Sequence, residues 1–257
     1  MSLEDEIPDV VAKAMTGLGM DAGALAEKSG VGIANIEAIL RGDPDDVSLR
    51  EIAPTLGLDP QALVALPGYL PEKLDIAGVR RLILPFGQWT VNAWLVERGE
   101  HRLLFDTGCN GTDITAALGG AMPDAVFITH DHHDHVGGIS AMQSAGVRVI
   151  SETEALKASS FVFGSLSLSA VDLSGHKTPT AGYFIEGLGK RLLVAGDAIF
   201  AGSIGRCRST GDYRKALDNL RRVLREADPD CVILPGHGPA TTVAEELSSN
   251  PFRPGFC

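Results

Sequence analysis

Hydrophobic and polar positions follow two different patterns along this chain. Over residues 8–66 they carry no strand signal and predict short helices at 10–15, 22–28, 33–40, 49–56 and 60–66, punctuated by Gly19, Gly30, Gly42-Asp43-Pro44 and Gly57. Two prolines and a glycine in Leu66-Pro67-Gly68-Tyr69-Leu70-Pro71 interrupt any helix and read as a linker. The expected division is a small all-α domain, 1–72, and a second domain, 73–257. From residue 79 the pattern turns strand-rich. Residues 81–86, 91–97 and 102–105 look like a meander with turns at Gly87-Gln88 and Arg98-Gly99-Glu100. Strand-like apolar runs at 125–128, 166–171, 192–195 and 231–234 follow, alternating with helical segments. One of these places Leu217, Leu220, Val223 and Leu224 on a single apolar face, with Gly211-Asp212 offering its N-cap.

Composition narrows the class. A chain of 257 residues with 44% hydrophobic content can bury a core of one large or two modest domains. No apolar run approaches the roughly 18 residues of a membrane span, and the acidic start Met1-Ser2-Leu3-Glu4-Asp5-Glu6 lacks a secretory pattern, so no membrane partner and a cytoplasmic location are expected. Cys109, Cys207, Cys231 and Cys257 form neither a disulfide ladder nor a Cys-x-x-Cys knuckle and are expected as reduced thiols. The net charge of -11 is uneven: residues 1–70 hold 12 acidic and 4 basic side chains, net -8. Such a chain is a poor nonspecific binder of polyanions, whose affinity comes from Lys and Arg.

The densest chemistry lies in Thr129-His130-Asp131-His132-His133-Asp134-His135, followed by Val136-Gly137-Gly138. In an extended segment alternate side chains point the same way, so His130 and His132 can grip one ion together. Asp134 and His135 come where the Gly137-Gly138 turn leads into a helix and project elsewhere, which implies two ion positions. Imidazole and carboxylate suit zinc, iron or manganese. His176 in Ser174-Gly175-His176, Asp197 in Val194-Ala195-Gly196-Asp197 and His237 in Pro235-Gly236-His237-Gly238 each follow a strand-like run, where α/β folds carry ligand loops. His101 and His133 have no evident role. Two cations sharing one water would lower its pKa from about 15.7 towards about 7 and supply hydroxide as the nucleophile. A cysteine nucleophile, Cys109 or Cys207, would need a thiolate-stabilising base that the sequence does not show.

Together with Asp106 in Phe105-Asp106-Thr107-Gly108, this ordered set resembles the metallo-β-lactamase superfamily over about residues 78–254. The resemblance implies an α/β, four-layer αβ/βα sandwich with the metals at one edge between the sheets. Carried over, His130, His132 and His176 would hold the first of two divalent ions, and Asp134, His135 and His237 the second. Asp197 would bridge them, with Asp106 bracing the ligand loops. Zinc is the expected metal, with iron or manganese as alternatives. The loop Gly196 to Arg206 and the ending around His237 and Asn250-Pro251-Phe252 look like short relatives of glyoxalase II. Arg206 falls where that family keeps a basic residue for glutathione. The family's nearby tyrosine is Arg208 here, and its helical C-terminal domain is missing. Arg206 and Arg208 are candidates to hold an anionic small-molecule substrate. Tyr183 is a candidate hydrogen-bond donor to substrate, with core packing the favoured alternative.

The N-terminal segment, with Ala26, Gly30, Ile36 and Ser48-Leu49-Arg50-Glu51-Ile52-Ala53, resembles lambda-repressor-like helix-turn-helix domains. Operator binding would place the 32–40 helix in the major groove, but Asn35, Glu37 and Arg41 amid net -8 fit phosphates poorly. A scaffold that dimerises the chain or covers the active-site mouth is the expectation. The leading function is hydrolysis of a small thioester or ester. A mononuclear-iron persulfide dioxygenase, which resembles glyoxalase II closely, is the runner-up, and a metal-ligand-sensing transcriptional regulator is the alternative of another class.

Overall fold

The computed structural model describes residues 2–253; Cys257 lies outside them. Five helices come first: α1 (Ile7–Leu18), α2 (Ala22–Ser29), α3 (Ile33–Leu40), α4 (Asp46–Ile52) and α5 (Pro60–Ala65). Much of the segment's acidity has a local use. Asp21, Asp45 and Asp59 accept backbone N–H groups at the starts of α2, α4 and α5, and Glu6 and Asp9 form a reciprocal cap on α1. Carboxylates there satisfy orphan amides and complement the helix dipole.

After a 3-10 turn at Leu66–Gly68 the chain enters the sandwich. β1 (Val79–Phe86), β2 (Trp89–Arg98), β3 (His101–Phe105), α6 (Gly111–Leu118), β4 (Ala125–Phe127), α7 (His133–Val136), α8 (Ile139–Ser144), β5 (Arg148–Ile150) and α9 (Glu152–Ala158) make its first half. The second half holds β6 (Ser160–Phe163), β7 (Leu166–Asp172), β8 (Ala181–Glu186), β9 (Leu192–Gly196), β10 (Ile199–Phe200), β11 (Ser203–Ile204), α10 (Thr210–Glu226), β12 (Val232–Pro235), β13 (Thr241–Thr242) and α11 (Val243–Ser249). α10 is capped by Ser209, whose hydroxyl accepts the Asp212 amide, two residues before the Gly211-Asp212 start that the sequence suggested. One sheet runs β1-β2-β3-β4-β5, the other β13-β12-β9-β8-β7-β6.

Side-chain alternation sorts the strands between layers. Trp94, Val96, Leu103 and Phe105 face Leu192, Val194, Val232 and Leu234 across the sandwich interior. The intervening Ala93, Leu95 and Leu104 pack outward with Ile114, Leu118 and Met142 of α6 and α8. Leu193, Ala195 and Ile233 pack on the opposite outer face with Leu220, Val223 and Leu224 of α10. Strands buried on both faces read as near-continuous apolar runs for this reason. The outer cluster does not stop at α10. Val10, Val11, Ala14, Ile36, Ile39 and Ile52 belong to it, so the N-terminal helices share a core with the sandwich, and α1 is the helix that lies against α10.

Candidate metal centre

Most of the candidate residues lie in loops that follow strands: the bracing Asp106 after β3, His130 and His132 after β4, Asp197 after β9, His237 after β12, and His176 in the loop between β7 and β8, while Asp134 and His135 sit in α7. A bonded pair fixes the two central loops, since Gly236 donates its N–H to the Gly196 carbonyl (2.9 Å). Gly236 must also be glycine because a Cβ there would sit 2.2 Å from Asp197 Oδ1. Asn92 of β2 donates to the Pro235 and Gly238 carbonyls at 2.9 and 3.0 Å and steadies the His237 loop.

The histidines present their nitrogens in a definite way. His135 Nδ1 is 2.8 Å from Asp106 Oδ2, His176 Nδ1 is 2.7 Å from the Arg206 carbonyl, and His237 Nδ1 is 2.9 Å from the Thr90 carbonyl. Each acceptor holds the proton on Nδ1 and leaves an Nε2 lone pair pointing inward. Thr129 Oγ1 donates to Asp106 (2.8 Å), so it accepts from His130 Nδ1 at 3.0 Å, which exposes the Nε2 lone pair of His130 as well. His132 turns its Nδ1 inward, 3.1 Å from His130 Nε2 and 2.9 Å from His176 Nε2.

Two ligand groups result. His130, His132, His176 and Asp197 bring one ligand atom each within 4.8 Å of one another, as do Asp134, His135 and His237. Asp197 joins them. Its Oδ1 is 3.2 Å from His135 Nε2, and its Oδ2 is 3.5 Å from His176 Nε2 and 3.6 Å from His237 Nε2. Asp134 Oδ2 is 3.2 Å from His237 Nε2. His135 Nε2 and Asp197 Oδ1 are buried and face each other, with no other hydrogen-bond partner. Inward lone pairs and orphaned polar atoms in one buried cluster fit cations, with nitrogen and oxygen donors in the types that zinc, iron or manganese accept.

Electrostatics agree with that fit. Burial holds the pKa values of His130, His132 and His176 below the ordinary histidine value, which keeps them neutral and ready to ligate. Burial also pushes His135 and His237 towards neutrality, but the carboxylates outweigh it: Asp197 and Asp106 raise His135 well above its usual value, and Asp197 and Asp134 bring His237 to about 9. Burial pushes Asp197 up, yet His135 and His237 hold it well below the usual carboxylate range. Protons on these groups and cations compete for the same lone pairs.

A family described as the metallo-beta-lactamase superfamily matches residues 86–150. The hydroxyacylglutathione hydrolase GloC of Haemophilus influenzae is 31% identical over 162 residues, spanning 49% of this chain and 74% of that protein. The chain belongs to the metallo-beta-lactamase superfamily. The probable metallo-hydrolase YqgX of Bacillus subtilis is 25% identical over 67% of this chain and 97% of its own length. The crystal structure of BLEG-1 B3 metallo-beta-lactamase superposes with a TM-score of 0.58, at 23% identity, over 69% of this chain and all of that one. The superfamily match takes in Asp106 and the histidine cluster, which follow β3 and β4, while His176, Asp197 and His237 come from beyond it and are brought in by the second sheet.

A cleft of about 390 Å³ opens on the centre, lined by His132, Asp134, His176, Asp197, His237 and Arg206, with Phe86, Trp89 and Phe200 as apolar walls. Arg208 is exposed and outside that lining. Tyr183 corrects its assignment as a substrate donor. It is fully buried between Phe105 and Phe127, and its hydroxyl donates to the Ile128 carbonyl at 2.6 Å, so it props the strand that leads to the histidines. Burial pushes the Cys109 thiol up, with the Asp134 carboxylate adding to it, and raises Cys207 to about 12, which disfavours either as a nucleophile. His101 pairs with Asp124 away from the centre. The cleft also contains Glu4, Asp5 and Lys13, which sequence reasoning missed because contact across such a separation leaves no local signal.

Proposed function

We propose that the protein hydrolyses a small thioester or ester with two divalent metal ions, zinc foremost and iron or manganese as alternatives. The supporting observation is the convergence on Asp197 of two ligand groups in which His135, His176 and His237 already commit their outward Nδ1 to acceptors. A single iron held by two histidines and a carboxylate would leave the group of Asp134, His135 and His237 unused, which favours the binuclear hydrolase over a persulfide dioxygenase. The similarity to a hydroxyacylglutathione hydrolase favours thioesters among acyl substrates.

His130, His132 and His176 would hold one ion, Asp134, His135 and His237 the other, and Asp197 both. The ions would supply Lewis acidity and make a water molecule nucleophilic near neutral pH. The chain's own contribution is orientation: Asp106, Thr90 and the Arg206 carbonyl fix the imidazoles, so no reorganisation is needed as charge develops in the transition state. Phe86, Trp89 and Phe200 would offer apolar surface beside the reacting carbonyl. The cleft's volume of about 390 Å³ falls in the range of sites for small molecules. The test is metal analysis of protein purified without added metal or chelator, joined to a thioester, ester and lactone screen. About two zinc ions per chain with thioester turnover supports the reading; one iron with oxygen uptake on glutathione persulfide overturns it.

A further inference from the structure

The first residues of the chain reach the metal cleft. Glu4, Asp5 and Lys13 line it together with Asp134, Asp197 and His237. The arm ahead of α1 is fastened there by several contacts. Lys13 is buried, forms an ion pair with Asp5, donates to the Ile204 carbonyl at 2.8 Å and lies 5.0 Å from the centre of the Phe200 ring. The Glu4 backbone passes so close to Gly238 that a Cβ there would stand 3.1 Å from the Glu4 nitrogen. The Glu4 carboxylate ends 4.0 Å from His237 Nδ1.

Charge is balanced unevenly on this wall. Asp5 is neutralised by Lys13, which leaves Glu4 as the arm's charge towards the cleft. Arg81, a cation that Glu4 influences, is held 2.7 Å from Asn92. Arg206 at the same mouth is exposed, whereas the Glu4 side chain keeps 33% of its surface, and solvent screens the exposed charge more.

We propose that the N-terminal arm is a substrate-facing wall of this active site, and that Glu4 selects there for thioesters or esters with a cationic or neutral leaving group over those carrying a carboxylate. This rests on the hydrolase reading. It also gives the helical segment a role in the site it is packed against.

Acetylthiocholine, S-propyl thioacetate and 3-(acetylthio)propanoate share an acyl group and differ in charge. On the full chain, loaded with metal and matched for metal content, kcat/KM should favour the cation over the anion by about tenfold, the effect of one partly screened charge. Glu4→Gln should bring that ratio close to one, and Glu4→Lys should invert it. An unchanged ratio in Glu4→Gln overturns the proposal. So does an equal loss on all three probes, which would make Glu4 a support for His237 only. Calorimetric binding of thiocholine against 3-mercaptopropionate reads the same preference without turnover. A preference lost in Glu4→Gln, with no thioester hydrolysed, would sink the hydrolase reading and leave the wall standing; hydrolysis with no preference would do the reverse.

Discussion

His135 and Asp106 are joined through a 2.8 Å contact between Nδ1 and Oδ2, and Asp106 holds a positive φ of 61° to make it. A non-glycine residue in that region is uncommon and is kept where surrounding contacts fix it. Here they do, since Asp106 also accepts from the Thr129 amide and hydroxyl, both at 2.8 Å. Through Thr129 it orients His130, so one carboxylate sets an imidazole in each ligand group.

Replacing Asp106 by Asn should therefore weaken metal binding while leaving the fold intact. The amide keeps an acceptor for the Thr129 N–H but puts a donor where His135 and Thr129 both donate. Loss of such a partner typically costs about 10- to 100-fold in affinity. Competition with a chromogenic chelator measures it, with circular dichroism as the fold control; unchanged affinity would show that the imidazoles orient themselves.

Asp197 makes a sharper case. It lies within 3.6 Å of His135, His176 and His237 nitrogens, so Asp197→Ala should cost both ions their shared ligand and abolish turnover in metal-replete buffer. His132→Ala should do the same through the first group alone. Near-wild-type kcat in either variant would move the reaction away from this centre.

Gly17 of α1 packs so tightly on α10 that a Cβ would lie 2.2 Å from Tyr213 Cγ. Gly17→Ala should cost about 1–3 kcal/mol of overpacking despite alanine's better helix propensity. Gly23→Ala is the control, because its nearest contact is an ordinary 3.4 Å. Thermal melts should show a lowered Tm for the first and an equal or raised Tm for the second. Equal Tm values would mean that α1 is free to shift from α10.

How much of this was legible beforehand follows the range of each interaction. His130, His132, Asp134 and His135 could be read because local geometry places them, extended before α7 and helical within it. His176, Asp197 and His237 could be read as strand-end residues, but which nitrogen each presents depends on carbonyls far along the chain, such as Thr90 for His237. Tyr183 alternates with residues of one strand and could face core or cleft by pattern alone; its environment decides. β1 begins at Val79 rather than Arg81 because the Glu97 amide reaches back to Gly78 and pairs the extra residues, a register no single strand encodes. The arm's reach to the cleft was least legible, since Glu4 and His237 lie at opposite ends of the sequence.

Glu246 gives the stability a pH dependence of its own. It is fully buried where α11 meets the linker, accepting from Tyr69 Oη (2.9 Å), Thr241 Oγ1 (2.8 Å), Asn250 Nδ2 (2.7 Å) and the Gly202 amide (3.0 Å). Burial pushes its carboxyl up and those donors pull it down, leaving it at about 7 against 4.5 for an unburied glutamate. The folded chain thus holds a proton that the unfolded chain has released between those values. Stability from this group is full below about pH 4.5, is lost as pH rises through about 7, and totals roughly 3 kcal/mol. Other groups titrate in the same window, so the informative quantity is the difference between wild type and Glu246→Gln in denaturant unfolding at pH 5 and pH 8. Wild type should lose more stability than the variant over that interval. Parallel curves would mean that the four donors keep the carboxylate ionised throughout, and that Tyr69, Thr241, Asn250 and Gly202 offset its burial in full.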